Sequence, residues 1–175
     1  MPDLPNPKKQ SPSLKARALR LLSQREHSRA ELGKKLADYV SGVAKEGRAE
    51  EFENQQGSAL HAVPREELIT TVLDDFERRG WLSDERYAEA LVRRRSERYG
   101  LRKIQDELQR AGVSPDHSGR LMEELKKTEF ERAKALWDRK FGSLAEDQKG
   151  RAKQYRFLVS KGFNPEIVSR VIGGR

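Results

Sequence analysis

Between Leu91 and Lys103 the chain carries Arg93, Arg94, Arg95, Arg98, Arg102 and Lys103, opposed only by Glu97. Cations at this density do one kind of chemistry: they hold a partner's phosphates or carboxylates through charge-assisted hydrogen bonds. At about 100° per residue, Arg94, Arg95 and Arg98 share one helix face, turned from Leu91 and Val92. Arg102 and Lys103 open the next helix, so a continuous basic patch is expected. Pairs within the helix, such as Glu89 with Arg93, would instead reduce it to a solvated face. Secondary basic groups recur on either side. They are Arg25, Arg29, Lys34 and Lys35, then Arg139, Lys140, Lys149, Arg151 and Lys153.

Tyr87, Tyr99, Trp81 and Trp137 could stack on nucleic-acid bases. Both tryptophans sit in apolar patterns that predict core positions. Tyr99, between Arg98 and Gly100, is the aromatic expected at the surface.

Catalytic chemistry finds no residues to carry it. His27, His61 and His117 lack metal-ligand spacing and read as solvated or capping histidines. Asp74–Asp75 and Glu123–Glu124 are adjacent on helices, so their members diverge and make no acid–base dyad. There is no phosphate-binding G-x-x-x-x-G-K-[ST] loop. The absence of cysteine excludes disulfides, thiol catalysis and cysteine-held zinc. The expectation is a protein that is no enzyme and needs no cofactor or metal.

Composition agrees with a binding role. Of 175 residues, 36 are Lys or Arg and 28 Asp or Glu, a formal charge of +8 that favours a polyanionic partner. Hydrophobic residues (35%) are fewer than charged ones (37%), which suits a thin-cored, elongated helical body better than a sphere. No apolar run approaches the roughly 18 residues of a membrane span. The opening MPDLPNPKKQSPS has no signal-peptide core. A cytoplasmic location without membrane contact, as a monomer, is expected.

The elements that would position the basic residues are helices, with no convincing period-two alternation. Leu14, Ala18, Leu21 and Leu22 stripe a first helix ending near Glu26. Ser28 and Glu31 form a capping box for a second, to about Tyr39. Residues 41–63 break the pattern with three glycines and a polar, acid-rich tract, and read as a loop insertion. Pro64 starts a third helix, which stops at Gly80. Ser83 caps the next, which Gly100 breaks, and a short helix ends at Gly112. Ser114–Pro115, Thr128 with Glu131, Ser143 with Glu146, and Asn164–Pro165 start the remaining four.

These nine helices fall into three groups of three. One constant offset aligns Ala16, Ala18, Leu19, Leu32 and Leu36 with Ala88, Ala90, Leu91, Ile104 and Leu108. G-V-S-P at 112–115 matches G-F-N-P at 162–165, keeping helix stop, apolar residue, N-cap and N1 proline together. An all-α fold of three tandem helix-turn-helix-like repeats is predicted, forming an elongated curved rod. Its parts are a disordered lead (1–12) and repeats at 13–80, 81–127 and 128–175.

The run R-R-G-W-L-S-D-E-R-Y-A-E-A at 78–90 resembles the signature of the RecX family of bacterial recombination regulators. So do R-E-H-S-R-A-E-L at 25–32, Y-G-L-R-K-I-Q-D-E-L at 99–108, R-K-F-G at 139–142 and F-L-V-S-K-G-F at 157–163. The resemblance covers about residues 14–172. It implies tandem three-helix units that bind RecA, above all its filament on single-stranded DNA, lying in the filament groove. It further implies restraint of filament growth, ATPase, strand exchange and coprotease activity, and hence of homologous recombination, DNA repair and the SOS response. Some members of the family also bind DNA directly. The insertion at 41–63 departs from the family's shorter connection. The rival reading is a stand-alone helix-turn-helix-type DNA-binding regulator, which would need a recognition helix for base edges. The basic residues here look directed at phosphate instead.

Overall fold

The computed structural model describes residues 12–45 and 64–173, and every regular element among them is an α-helix. The lead at 1–11 and the insertion from 46 to 63 lie outside the described residues. The chain divides into two compact units, Met1–Ser83 and Asp84–Arg175.

The first unit contains α1 (Leu14–Leu22), α2 (Arg29–Lys45) and α3 (Arg65–Arg78). Ser13 caps α1 through the Ala16 N–H, and Ser28 caps α2 through the Glu31 N–H. α2 does not stop near Tyr39. Val40 and Val43 continue the stripe begun by Leu32 and Leu36 and are buried, so 41–45 is helix rather than the start of a loop. α1 is shorter than expected and ends at Leu22. α3 needs a double stripe, Leu68–Ile69 and Val72–Leu73 with Phe76, because it packs against both other helices.

Gly80 ends α3 with a positive φ, and the Trp81 N–H reaches back to the Phe76 carbonyl. The turn sends Leu82, not Trp81, into the core. Trp81 is 45% exposed, edge-on to Phe76 with the Arg79 guanidinium over its ring, which corrects its expected burial.

His27 is 2% exposed and so is not a solvated histidine. Its Nδ1 lies 2.8 Å from Glu31, whose carboxylate also accepts from Arg25. Burial holds the His27 pKa below its ordinary value against the pull of Glu31. Burial also pushes the Glu31 carboxyl up, but the hydrogen bonds from Arg25 and His27 hold it below the usual range. Both shifts act in one direction. The unfolded chain takes up protons at His27 near pH 6.5 and at Glu31 near 4.5, before the native state does. The first unit should therefore lose stability as pH falls below about 6.5. With Trp137 replaced by Phe, Trp81 alone reports this unit, and its melting midpoint should drop between pH 7 and 5.5. His27→Asn, which can still donate to Glu31, should flatten that dependence; an undiminished slope would refute the assignment.

The second unit holds α4 (Asp84–Arg95), α5 (Leu101–Arg110), α6 (Pro115–Lys127), α7 (Glu129–Phe141), α8 (Gln148–Ser160) and α9 (Pro165–Gly173). Two cores lie within it. Tyr87, Ala88, Leu91, Ile104, Leu108, Val113 and Leu125 fill the first, and Ala133, Leu136, Leu158, Phe163 and Val168 the second. The matched motifs perform the same act in each. Gly112 and Gly162 stop their helices at positive φ, and Val113 and Phe163 turn inward with N–H bonds to Leu108 and Leu158.

Two expected capping boxes are absent. Thr128 stands at the N-cap of α7, but its hydroxyl turns back to the Glu124 and Leu125 carbonyls and makes no side-chain cap. Asp147, not Ser143, caps α8 through the Gly150 N–H.

The two cores are tied together by backbone. The Gly100 N–H donates to the Lys161 carbonyl (2.9 Å) and the Arg102 N–H to that of Gly162 (3.2 Å). Glu129, 2% exposed, accepts from the Leu101 and Asn164 N–H groups.

Candidate polyanion interface

Tyr87, Ala88 and Leu91 bury one face of α4, which leaves Arg93 and Arg94 exposed in its last turn. There the positive charge also suits the helix dipole. The helix stops at Arg95, so Arg98 is not on the same helical face as Arg94 and Arg95. Residues 96–98 form a turn in which the Arg98 N–H bonds the Arg95 carbonyl. The helix cannot continue because Gly100 is extended and held by Lys161. Arg98 is nevertheless exposed, as are Arg102 and Lys103 on α5.

Arg95 differs from the other five. It is half-buried, with Nη2 2.7 Å from the Glu107 carboxylate and its guanidinium 5.5 Å from the Tyr99 ring centre. Its charge braces α4 against α5 and is neutralised within the fold. Tyr99 is half-buried against the adjacent core, not presented for stacking as expected. The Lys103 ammonium lies 4.8 Å from its ring centre and that of Lys161 5.7 Å.

The secondary groups fare unevenly. Arg25 pairs with Glu31, and Arg29 spans α2 to α3 by pairing with Asp74 and Glu77, so two of the four cations in that group serve the first unit's packing. Lys34 is exposed and Lys35 half-buried. In the third group Lys140, Lys149 and Lys153 are exposed, while Arg151 caps the Ala145 carbonyl. Arg139 donates to the Glu97 carbonyl, which brings it beside Arg98.

Two residues escaped the sequence reading. Lys161 ends α8 immediately before its glycine stop, and basic side chains favour that position beside the helix's unpaired carbonyls. Arg132 looks like one more surface cation on α7 but is half-buried at the junction of the cores. It donates to the Ser96, Tyr99 and Leu125 carbonyls. Burial lowers its pKa, against the charge of Glu129.

No group of three or more acidic or His side chains among the described residues could hold a metal ion. No described helix is long and apolar enough to cross a membrane. The arrangement leaves Arg93, Arg94, Arg98, Arg102 and Lys103 exposed.

Comparison with known proteins places the chain among relatives. The family model for the second three-helix domain of RecX matches residues 83–118, and that for the third matches 127–172. "Regulatory protein RecX" of Ralstonia nicotianae is 40% identical over 93% of this chain and 87% of its own length. Its counterpart from Leptothrix cholodnii is 39% identical over 91% and 87%. The crystal structure of RecX from Lactobacillus salivarius superimposes with a TM-score of 0.65 at 18% identity, covering 92% of this chain and 93% of that one. That likeness bears on the fold: tandem three-helix units, as the repeat predicts. With relatives this similar over most of its length, the chain belongs to the RecX family of regulatory proteins.

Proposed function

We propose that this protein binds RecA and the RecA–single-stranded DNA filament and inhibits its recombinase, ATPase and coprotease activities. It thereby tunes recombinational repair and the SOS response. One observation supports the reading most: Arg93, Arg94, Arg98, Arg102 and Lys103 all stand exposed around the end of α4 and the start of α5. Five cations in one short stretch suit a polymer that repeats negative charge. The protein acts by binding alone. It favours whichever filament state offers it more contacts, and shifts the equilibrium by that difference in affinity.

The test is RecA ATPase on single-stranded DNA, titrated with the protein at several salt concentrations. Arg93→Glu/Arg94→Glu and Arg98→Glu/Arg102→Glu should each raise the concentration for half-inhibition by about tenfold or more at low salt, with helicity unchanged. Arg95→Gln should act differently: its loss should lower stability, because Arg95 is spent on Glu107. Inhibition that survives both double reversals would remove the interface from this face. A protected operator persisting at physiological salt would favour a stand-alone DNA-binding regulator instead.

A further inference from the structure

We propose that Lys103 and Lys161 together form a composite seat for a backbone phosphate of single-stranded DNA, built across the junction between the two cores of the second unit. The proposal rests on the reading that this face meets a polyanion, and it adds a residue and a chemistry to that face.

Both ammonium groups lie near one Tyr99 ring, at 4.8 and 5.7 Å from its centre, and Lys161 is also 5.4 Å from that of Phe157. The aromatic faces draw the cations in. The backbone keeps them there. The Lys161 carbonyl is bonded to the Gly100 N–H, and the Gly162 carbonyl to the Arg102 N–H. Gly162 packs so closely on Lys103 that a β-carbon there would lie 2.6 Å from the Lys103 Cβ. The two lysines thus come from distant stretches of chain that cannot drift apart while the junction holds.

No acidic side chain pairs with either lysine among the described residues, whereas the third cation at Tyr99, Arg95, is matched by Glu107. Both charges at this ring are therefore left without a carboxylate of their own, and an anion reaching both would supply it. The chemistry favours phosphodiester over carboxylate. A carboxylate is best met by the planar fork of an arginine, and the one arginine at this ring, Arg95, already holds Glu107; lysine ammonium groups act as compact point charges suited to phosphate. Because cations cover Tyr99, the seat reads backbone and not base, so no sequence preference should come from it.

The test uses the full chain and a short fluorescent oligothymidylate, with affinity followed against salt. Lys103→Gln and Lys161→Gln should each weaken binding several-fold. Each should also reduce the slope of log affinity against log salt by about 0.7, the share of one phosphate contact on a single strand. Lys45→Gln, at an exposed lysine that ends α2 in the first unit, should leave the slope at its wild-type value. Circular dichroism checks that every variant is folded. A Lys161→Gln protein with wild-type affinity and slope overturns the seat, as does a wild-type protein that does not bind the oligonucleotide at low salt. If polyglutamate competes as well as oligothymidylate at equal charge, the phosphate assignment fails. None of these outcomes touches the ATPase titration above, which judges the filament reading separately.

Discussion

Replacing Gly100 with alanine is expected to destabilise the second unit by about 3 kcal/mol or more, through a collision and not through conformational preference. Gly100 has φ −77° and ψ 172°, extended backbone that alanine adopts readily. On that ground alone the substitution would stabilise the protein by restricting the unfolded chain. The neighbours reverse the sign. A β-carbon at Gly100 would lie 2.2 Å from the Phe163 nitrogen and 2.3 Å from the Gly162 carbonyl carbon and oxygen. These are backbone atoms, and no rotamer change moves them aside. The chain must separate there and give up the Gly100–Lys161 and Arg102–Gly162 hydrogen bonds, each worth about 1 kcal/mol when buried. Gly119 supplies the contrast. It lies within α6 with nothing near its missing β-carbon, so Gly119→Ala should stabilise by up to about 1 kcal/mol. Urea unfolding followed by Trp137, in a Trp81→Phe background, should show midpoints moving in opposite directions. A Gly100→Ala midpoint at or above the parent's would mean that the two cores are not tied at this point. Because the same contact holds Lys161 beside Lys103, the variant should also show the reduced salt slope expected of either lysine change.

The contrast between these glycines shows what could be read from sequence and what could not. Apolar spacing and helix stops are local, so nearly every helix was legible, and so was the pairing of G-V-S-P with G-F-N-P. Even the extension of α2 to Lys45 is written in the spacing of Leu36, Val40 and Val43, which runs on through Gly42. The cations were legible as a cluster but not as individuals. Arg93 and Arg95 are the same residue type two positions apart, yet one faces solvent and the other is spent on Glu107. Which of them is spent depends on where α5 returns, and no period within α4 carries that information. Trp81 and Leu82 make the same point. Both are apolar, and the turn at Gly80, not hydrophobicity, decides that the smaller one goes in. Lys161 and Arg132 were missed because their partners lie far away in the chain, beyond the reach of any helical pattern.

The residue hidden most completely is Glu129, and its removal should have the largest effect of any polar substitution in the protein. As the first residue of α7 it resembles an ordinary acidic helix start. It is instead 2% exposed, with one carboxylate oxygen 3.1 Å from the Leu101 nitrogen and 3.2 Å from that of Asn164. Those are the N-termini of α5 and α9, where N–H groups lack partners within their own helices and the dipole favours an anion. One turn later on the same helix, Arg132 does the converse. It donates to the Ser96 and Tyr99 carbonyls beyond the end of α4 and to Leu125 in the last turn of α6, at 2.8–2.9 Å. A single turn of α7 thus supplies the anion for two helix starts and the cation for two helix ends. Neither charge is isolated, since each helps to offset the cost of burying the other. Glu129→Ala leaves two buried N–H groups unpaired and Arg132 without its countercharge, which should cost about 3–5 kcal/mol. Glu129→Gln keeps an acceptor but loses the charge, and should cost less. Arg132→Met strips three carbonyls of their donor and leaves Glu129 uncompensated. The double variant should then be less destabilised than the sum of Glu129→Gln and Arg132→Met, by about 1 kcal/mol or more. Purely additive losses in that cycle would show two independent caps. A coupling of this size would show that the charges are held as a pair, one turn of α7 serving the starts of α5 and α9 and the ends of α4 and α6 together.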